Sequence, residues 1–181
     1  MNERIYALTG ILGIFVAYAS IFVSILLSPW FSWQRNALSD LGHSVNSEVA
    51  PLFNLGLLFS GFLILIYSVL VLRKYMRYTS VCLVSSSLAL QLVATFDEVY
   101  GFIHFLVSVL FFVSIGITSL VITIENRSLL ALAAFIICSG SWISYGMQLY
   151  NAGISVPEIL SFSPVAVLLV HSALKTYLRR E

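Results

Sequence analysis

Six apolar segments, each long enough to cross a membrane, constrain this chain more than any other feature of its sequence. A helix needs about 20 mainly apolar residues to span ~30 Å of hydrocarbon. Charged residues make up only 9% of the 181 residues, whereas a soluble domain carries roughly 25%. We therefore expect an all-α, polytopic membrane bundle of six transmembrane helices that forms a single domain over residues 1–181. The predicted helices cover about residues 5–28, 49–72, 78–96, 102–124, 128–148 and 157–177.

The charges between these segments separate by sign. If the N-terminus is inside, one face receives mainly basic residues, namely Arg4, Arg73, Lys74, Arg77, Arg127, Lys175, Arg179 and Arg180. The other face receives the acidic residues Asp40, Glu48, Asp97, Glu98 and Glu158, with Arg35 as its one cation. Because short loops rich in Lys and Arg stay cytoplasmic, we expect both termini to be cytoplasmic in a multi-pass protein of the plasma membrane. The first segment is too long for a signal-peptide core, so we expect it to be a helix of the mature protein.

Composition also limits the partners. The net charge is only +1, and no basic stretch is long enough to indicate a nucleic-acid partner. The expected partner is the lipid bilayer itself, together with other membrane subunits if the chain belongs to a complex.

The longest polar stretch contains residues 36–43. In a helix, Asn36 and Asp40 would share one face, as would Ser39 and His43. Such residue types can supply a nucleophile, a carboxylate and a base, or two metal ligands. The alternative is a re-entrant or interfacial segment in which Asn36 or Asp40 caps a helix end.

Two further polar pieces fall on the same face. Asp97, Glu98 and His104 surround the start of the fourth segment, and an ionisable residue such as His104 inside a span usually faces the bundle interior. His104 is either a metal ligand or base, or a side chain bonded to a backbone carbonyl or to Asp97. Ser155 and Glu158 have the spacing of a capping box, which predicts that Glu158 mainly caps the sixth helix.

Residues 36–42 (Asn-Ala-Leu-Ser-Asp-Leu-Gly), 100–112 and 156–158 resemble a prokaryotic family of six-helix membrane proteins of unknown function. The resemblance implies that Asp40, His104 and Glu158 form the family's polar site, and it supplies no activity. A looser similarity connects the chain to membrane hydrolases that include alkaline ceramidases, in which Ser, Asp and His side chains hold zinc. This chain lacks their paired histidines on the last helix.

The candidate polar site near the extracytoplasmic face therefore comprises Asp40, His43, Asp97, Glu98, His104 and Glu158. The favoured function is a non-catalytic subunit or assembly factor of a membrane complex. One alternative is a metal-assisted lipid hydrolase, in which Asp40, His43 and His104 would be ligands of a divalent metal such as zinc with an open position for water. The other alternative is a protein that binds or transports a cation or a lipid head group. No catalytic residue is assigned, and whether the protein is an enzyme stays open.

Overall fold

The structure is a computed structural model that describes residues 3–179, and over that range it contains helices and no strand. The helices are α1 (Glu3–Leu26), α2 (Ala50–Leu70), α3 (Arg77–Thr95), α4 (Phe102–Asn126), α5 (Leu129–Gly146) and α6 (Ser155–Tyr177). All six are long and apolar enough to cross a membrane. The expected all-α multi-pass bundle is confirmed, and every helix end lies within two residues of its predicted position.

The helices form a closed ring. Each packs against its neighbours in sequence, α6 returns against α1, and α4 also contacts α6 across the bundle. The side chains inside the ring form one apolar cluster around Tyr67 and Leu169 and another around Leu41 and Phe53. Large apolar side chains on the outer surface, such as Phe15 and Ile124, are exposed, as expected for positions that contact lipid.

Small residues bring α1 and α2 into close contact. The position of a Cβ on Gly13 would lie 2.9 Å from Ile64 Cγ1 and 3.2 Å from the Ser60 carbonyl oxygen. A Cβ on Gly56 would lie 2.2 Å from the Cβ of Ser20. Helices in membranes associate through such close approach, because burial from lipid supplies little hydrophobic driving force.

Hydroxyl groups join helices within the bundle. Tyr67 on α2 donates a hydrogen bond of 2.9 Å to Ser172 on α6. Tyr18 on α1 donates one of 2.8 Å to Ser163, also on α6. These bonds fix α6 against both of the helices that begin the chain.

The two ends of the bundle differ in charge. At the basic end, Glu3 forms an ion pair with Lys74, and the Arg4 side chain donates a hydrogen bond of 2.9 Å to the Tyr177 carbonyl. The start of α1 and the end of α6 therefore lie at the same end, as an even number of spans requires. We call the opposite end, which carries Asp40, Glu98 and Glu158, the acidic end.

The orientation in the membrane stays a prediction that cysteine labelling can test. In a background with Cys82→Ser and Cys138→Ser, Ser44→Cys at the acidic end should react with an impermeant maleimide added to intact cells. Arg77→Cys at the basic end should react only after the membrane is opened, because its Lys- and Arg-rich turn is expected to be cytoplasmic. Labelling of both positions from one side would contradict the topology.

The contact between α1 and α2 gives a second prediction. Gly56→Ala should lower the free energy of unfolding by about 1–3 kcal/mol, because the added methyl group overlaps Ser20 and the helices must separate. The matched control is Gly140→Ala on α5, where a Cβ meets nothing within 4 Å. The midpoint of thermal unfolding in detergent should fall for Gly56→Ala and stay level or rise for the control. Equal midpoints would show that the contact has no such role.

Candidate functional site

The segment between α1 and α2 folds back into the acidic end of the bundle. Its centre is a short 3₁₀ turn at Ser39–Gly42, too short to form the helical face considered from the sequence. Leu38 and Leu41 are buried in the apolar cluster that contains Phe53. Asn54 Nδ2 donates a hydrogen bond of 2.8 Å to the Gly42 carbonyl. We call residues 27–49 the re-entrant segment, because their centre folds back into the helix bundle; whether they enter the membrane or lie at its interface stays a prediction.

Asp40 stabilises this segment locally. Its Oδ2 accepts a hydrogen bond of 2.7 Å from Asn36 Nδ2 and one of 3.1 Å from the Ala37 backbone N–H. The Asn36 Oδ1 accepts the Ser32 backbone N–H at 3.0 Å. The hydrogen bonds of the Asp40 carboxylate therefore hold its own loop together. In the described part of the chain, no hydrogen bond joins Asp40 to His104.

The link between α3 and α4 contacts the same segment through two carboxylates. Asp97 accepts the Ser44 backbone N–H at 3.2 Å and that of Val99 at 3.0 Å, so it orders both loops. Glu98 accepts a hydrogen bond of 2.6 Å from the Ser39 hydroxyl. Burial raises the pKa of Glu98, the Ser39 hydroxyl partly offsets this, and the neighbouring Asp40 carboxyl raises it further.

The predicted capping box between Ser155 and Glu158 is wrong. Its Oε2 accepts the backbone N–H of Leu38 at 2.5 Å rather than that of Ser155. The Ser155 N–H instead donates to the Asn36 carbonyl at 3.0 Å, and α6 begins without a side-chain cap. The prediction failed because the re-entrant segment packs against the start of α6. Ser155 and Glu158 therefore form hydrogen bonds to that segment and not to each other.

The link between α5 and α6 also holds the re-entrant segment. The backbone N–H of Gly153 donates to the Trp33 carbonyl at 2.8 Å. A Cβ on Gly153 would lie 2.4 Å from the Asn36 carbonyl oxygen, so the approach requires glycine. The segment is thus bonded to the beginning of α6, to the link before it, and to the link between α3 and α4.

The two histidines have different surroundings. His104 Nδ1 lies 2.7 Å from the Phe96 carbonyl, which can only accept, so this nitrogen carries the proton. In the neutral ring its Nε2 is then an acceptor, 3.3 Å from the Ser108 hydroxyl. The expectation of a bond to a backbone carbonyl is met, and it joins α3 to α4. His43 contacts its own loop, with Nδ1 3.3 Å from the backbone nitrogen of Asn46.

A lateral groove between α4 and α5 begins at these polar groups. Its volume is about 720 Å³, and the polar side chains at its acidic end are Ser39, His43, Glu98, His104, Ser108 and Glu158. Below them the walls are mainly apolar, with Val109 and Val113 on α4 and Trp142 on α5, and Ser139 on α5 is the polar exception. Val109 and Val113 are exposed at the lateral surface, so the groove opens toward lipid.

A smaller cavity of about 110 Å³ lies inside the helix ring. It is almost wholly apolar, and Ser39, Ser108 and Glu158 line it as well as the groove. Glu158 is only 7% exposed. Its carboxyl group therefore lies where the groove meets the interior of the bundle.

The structure brings four of the six candidate residues to the groove, namely His43, Glu98, His104 and Glu158. Asp40 and Asp97 order the loops behind it. Within residues 3–179, no three or more His, Cys, Asp or Glu side chains form a group that could hold a metal ion. The metal prediction on Asp40, His43 and His104 stays a prediction.

Sequence reasoning missed the α5 wall of the groove. Cys138 and Trp142 line it, and Trp142 packs on Phe112 with ring centroids 4.9 Å apart. No sequence signal could indicate this wall, because it depends on how far α5 stands from α4. Ser108 had a signal, since it follows His104 by four residues on one helix face.

The raised pKa of Glu98 predicts a pH dependence. A carboxyl whose folded pKa lies above its unfolded value of ~4.3 stabilises the fold most below that value, and this contribution is lost as pH rises through the folded pKa. Glu98→Gln keeps an acceptor for Ser39 and removes the charge. The difference in unfolding midpoint between variant and wild type should therefore grow in favour of the variant as pH rises through this window.

The control is Glu48→Gln, an exposed carboxyl at the same end of the bundle. It removes a carboxyl from the same end without changing the Ser39 contact, so it shows how much of the pH response is not specific to Glu98. A constant difference for Glu98→Gln would show that Glu98 titrates as an ordinary surface carboxyl.

Searches of curated proteins and of solved structures found no match, so the similarity to alkaline-ceramidase-type hydrolases stays a prediction. A family model described as "Protein of unknown function (DUF998)" matches residues 11–175, a range that contains α2 to α5 completely and most of α1 and α6. The six apolar helices and the span of this match confirm the expected family of six-helix membrane proteins of unknown function. The chain belongs to the DUF998 family.

Proposed function

We propose that this protein binds an amphipathic molecule with one apolar chain and an amino or hydroxyl head group. The head group would lie at the acidic end of the lateral groove, and the chain would lie between α4 and α5. This is the head-group-binding alternative from the sequence, made more specific. The observation that supports it best is the buried carboxyl of Glu158 at the junction of the groove and the interior cavity.

The groove has the dimensions of an apolar chain site. From His104 to Gly116 it follows α4 for twelve residues, a rise of ~18 Å. This is more than half of the ~30 Å hydrocarbon core of a bilayer. Because the walls below Ser108 are mainly apolar and open sideways, a chain could enter from the lipid without leaving an apolar environment.

The polar end of the groove favours hydrogen-bond donors. Glu158 Oε2 accepts the Leu38 N–H, whereas its other oxygen has no hydrogen-bond partner among the described residues. His104 Nε2 is also an acceptor. An amine or a hydroxyl group could donate a hydrogen bond to either acceptor. A phosphate diester or dianion would offer only acceptor oxygens to these acceptors, with no donor for either.

One contact favours a lipid hydrolase as the second candidate. The Ser108 hydroxyl lies 3.3 Å from the unprotonated Nε2 of His104, whose other nitrogen is fixed by the Phe96 carbonyl. A hydroxyl beside an oriented imidazole is the arrangement of a nucleophile and its base. Release of product from a bound ester, lost in Ser108→Ala, would assign this activity. Membership of a larger membrane complex stays a prediction.

A photoactivatable long-chain primary amine, with the reactive group on the chain, tests the binding proposal on the full-length protein in lipid nanodiscs. Cross-links should concentrate on the facing sides of α4 and α5. An unlabelled alkylamine should compete better than an alkyl phosphate of the same length. Glu158→Gln keeps the acceptor for Leu38 and should weaken the amine by about tenfold, the loss expected for one hydrogen bond to a charged group.

Two further variants separate head group from chain. Glu48→Gln, exposed and outside the groove, is the matched control and should bind normally. Gly116→Leu should lower binding of long chains more than short ones, because a Cβ there meets only Cys138 Sγ, at 3.8 Å, and projects into the groove. Cross-links spread over all helices, or equal competition by amine and phosphate, would refute the proposal.

A further inference from the structure

A second polar cavity lies at the basic end of the bundle, far from the lateral groove. Its volume is about 650 Å³, and it lies between the starts of α3 and α5 and the ends of α4 and α6. We call it the basic pocket. Lys175, in the last turn of α6, and Arg179, two residues after that helix ends, both line it.

We propose that the basic pocket binds the phosphate of an anionic membrane lipid. Such basic pockets between transmembrane helices suit anionic head groups, because each cation near the membrane surface adds favourable electrostatic free energy. The proposal is independent of the groove at the acidic end, which has carboxyls where this pocket has cations.

Neither cation is neutralised within the described chain. Lys175 and Arg179 are exposed, and no described carboxylate lies within ion-pair distance of them. Arg179 lies over the Tyr75 ring, 5.3 Å from its centroid, so an aromatic ring rather than a carboxylate is its described neighbour. Both cations are thus available to a ligand.

The acidic residues nearest this end have other partners. Glu3 bonds to Lys74 and to the Tyr75 hydroxyl. Glu125 accepts the backbone N–H of Thr79 at 2.9 Å and its hydroxyl at 2.7 Å, so its charge is directed at the start of α3. No described carboxylate lines the basic pocket. An anion could therefore bind there without breaking an existing ion pair.

The start of α5 supports the same charge preference. Ser128 caps this helix by accepting the Ala131 N–H at 3.2 Å, and Ser128 and Leu130 line the pocket. The first backbone N–H groups of a helix have no partner within it. The N–H group of Leu130 and the positive end of the helix dipole therefore add to the two cations.

The floor of the pocket indicates a lipid rather than a soluble anion. Leu72, Ile122, Leu168 and Leu169 line it, and all four are buried in the apolar cluster around Tyr67. An inorganic phosphate would leave this apolar surface uncovered. The first atoms of an acyl chain would cover it, while the phosphate stays beside Lys175 and Arg179.

Native mass spectrometry of the full-length protein, released from nanodiscs with equal parts of phosphatidylglycerol and phosphatidylcholine, tests this site. The wild type should retain phosphatidylglycerol in clear preference. The double variant Lys175→Gln with Arg179→Gln should lower that preference on the order of 20-fold, since each cation contributes roughly fivefold. The matched control Arg73→Gln with Arg77→Gln removes two exposed cations at the same end, outside the pocket, and should leave the preference intact.

Competitors separate the two sources of phosphate. Millimolar inorganic phosphate or glycerol phosphate should leave the retained phosphatidylglycerol unchanged, whereas a short-chain phosphatidylglycerol should displace it. Displacement by inorganic phosphate would overturn the lipid assignment. No preference in the wild type, or the same loss in both double variants, would overturn the pocket itself. The unfolding midpoints of both double variants should equal that of the wild type, which establishes that a lost preference for phosphatidylglycerol is not caused by loss of the fold.

Discussion

The hydrogen bond between the Leu38 backbone N–H and the buried Glu158 carboxyl organises the acidic end of this bundle. A chain segment that enters a membrane protein without forming a long helix leaves backbone groups that lipid cannot satisfy. Here side chains and loops of distant helices supply the partners, namely Glu158, Asn54 and Asp97. The polar residues of the segment are consequently occupied with holding it, and fewer are left for a ligand.

The need to satisfy these backbone groups divides the polar side chains into those that hold the loops and those that can contact a ligand. Asp40 and Asp97 satisfy backbone N–H groups of the loops, whereas Glu98, His104 and Glu158 also face the lateral groove. The basic end shows the same division, because Glu3 and Glu125 are taken up by local partners and Lys175 and Arg179 are not. The two ends therefore present opposite charges to the membrane surfaces.

The sequence sufficed to predict the helices and their ends, because hydrocarbon thickness and the cost of burying charge act on every span alike. It also indicated that Glu98, His104 and Glu158 lie at one end. The role of Glu158 could not be predicted, because the capping pattern is local and its real partner, Leu38, is 120 residues away. The lateral groove could not be predicted either, because the sequences of α4 and α5 do not indicate how far apart the two helices pack.

The long separation of Leu38 from Glu158 has a consequence for biosynthesis. A ribosome completes the first two helices well before α6 emerges. Until then, the segment between them lacks the Glu158 carboxyl that accepts the Leu38 N–H, and it lacks the N–H groups of Gly153 and Ser155 that donate to its carbonyls. Insertion of the last helix thus completes the first loop. A chain truncated before α6 would keep five hydrophobic spans yet leave the Leu38 N–H without its acceptor inside the bundle.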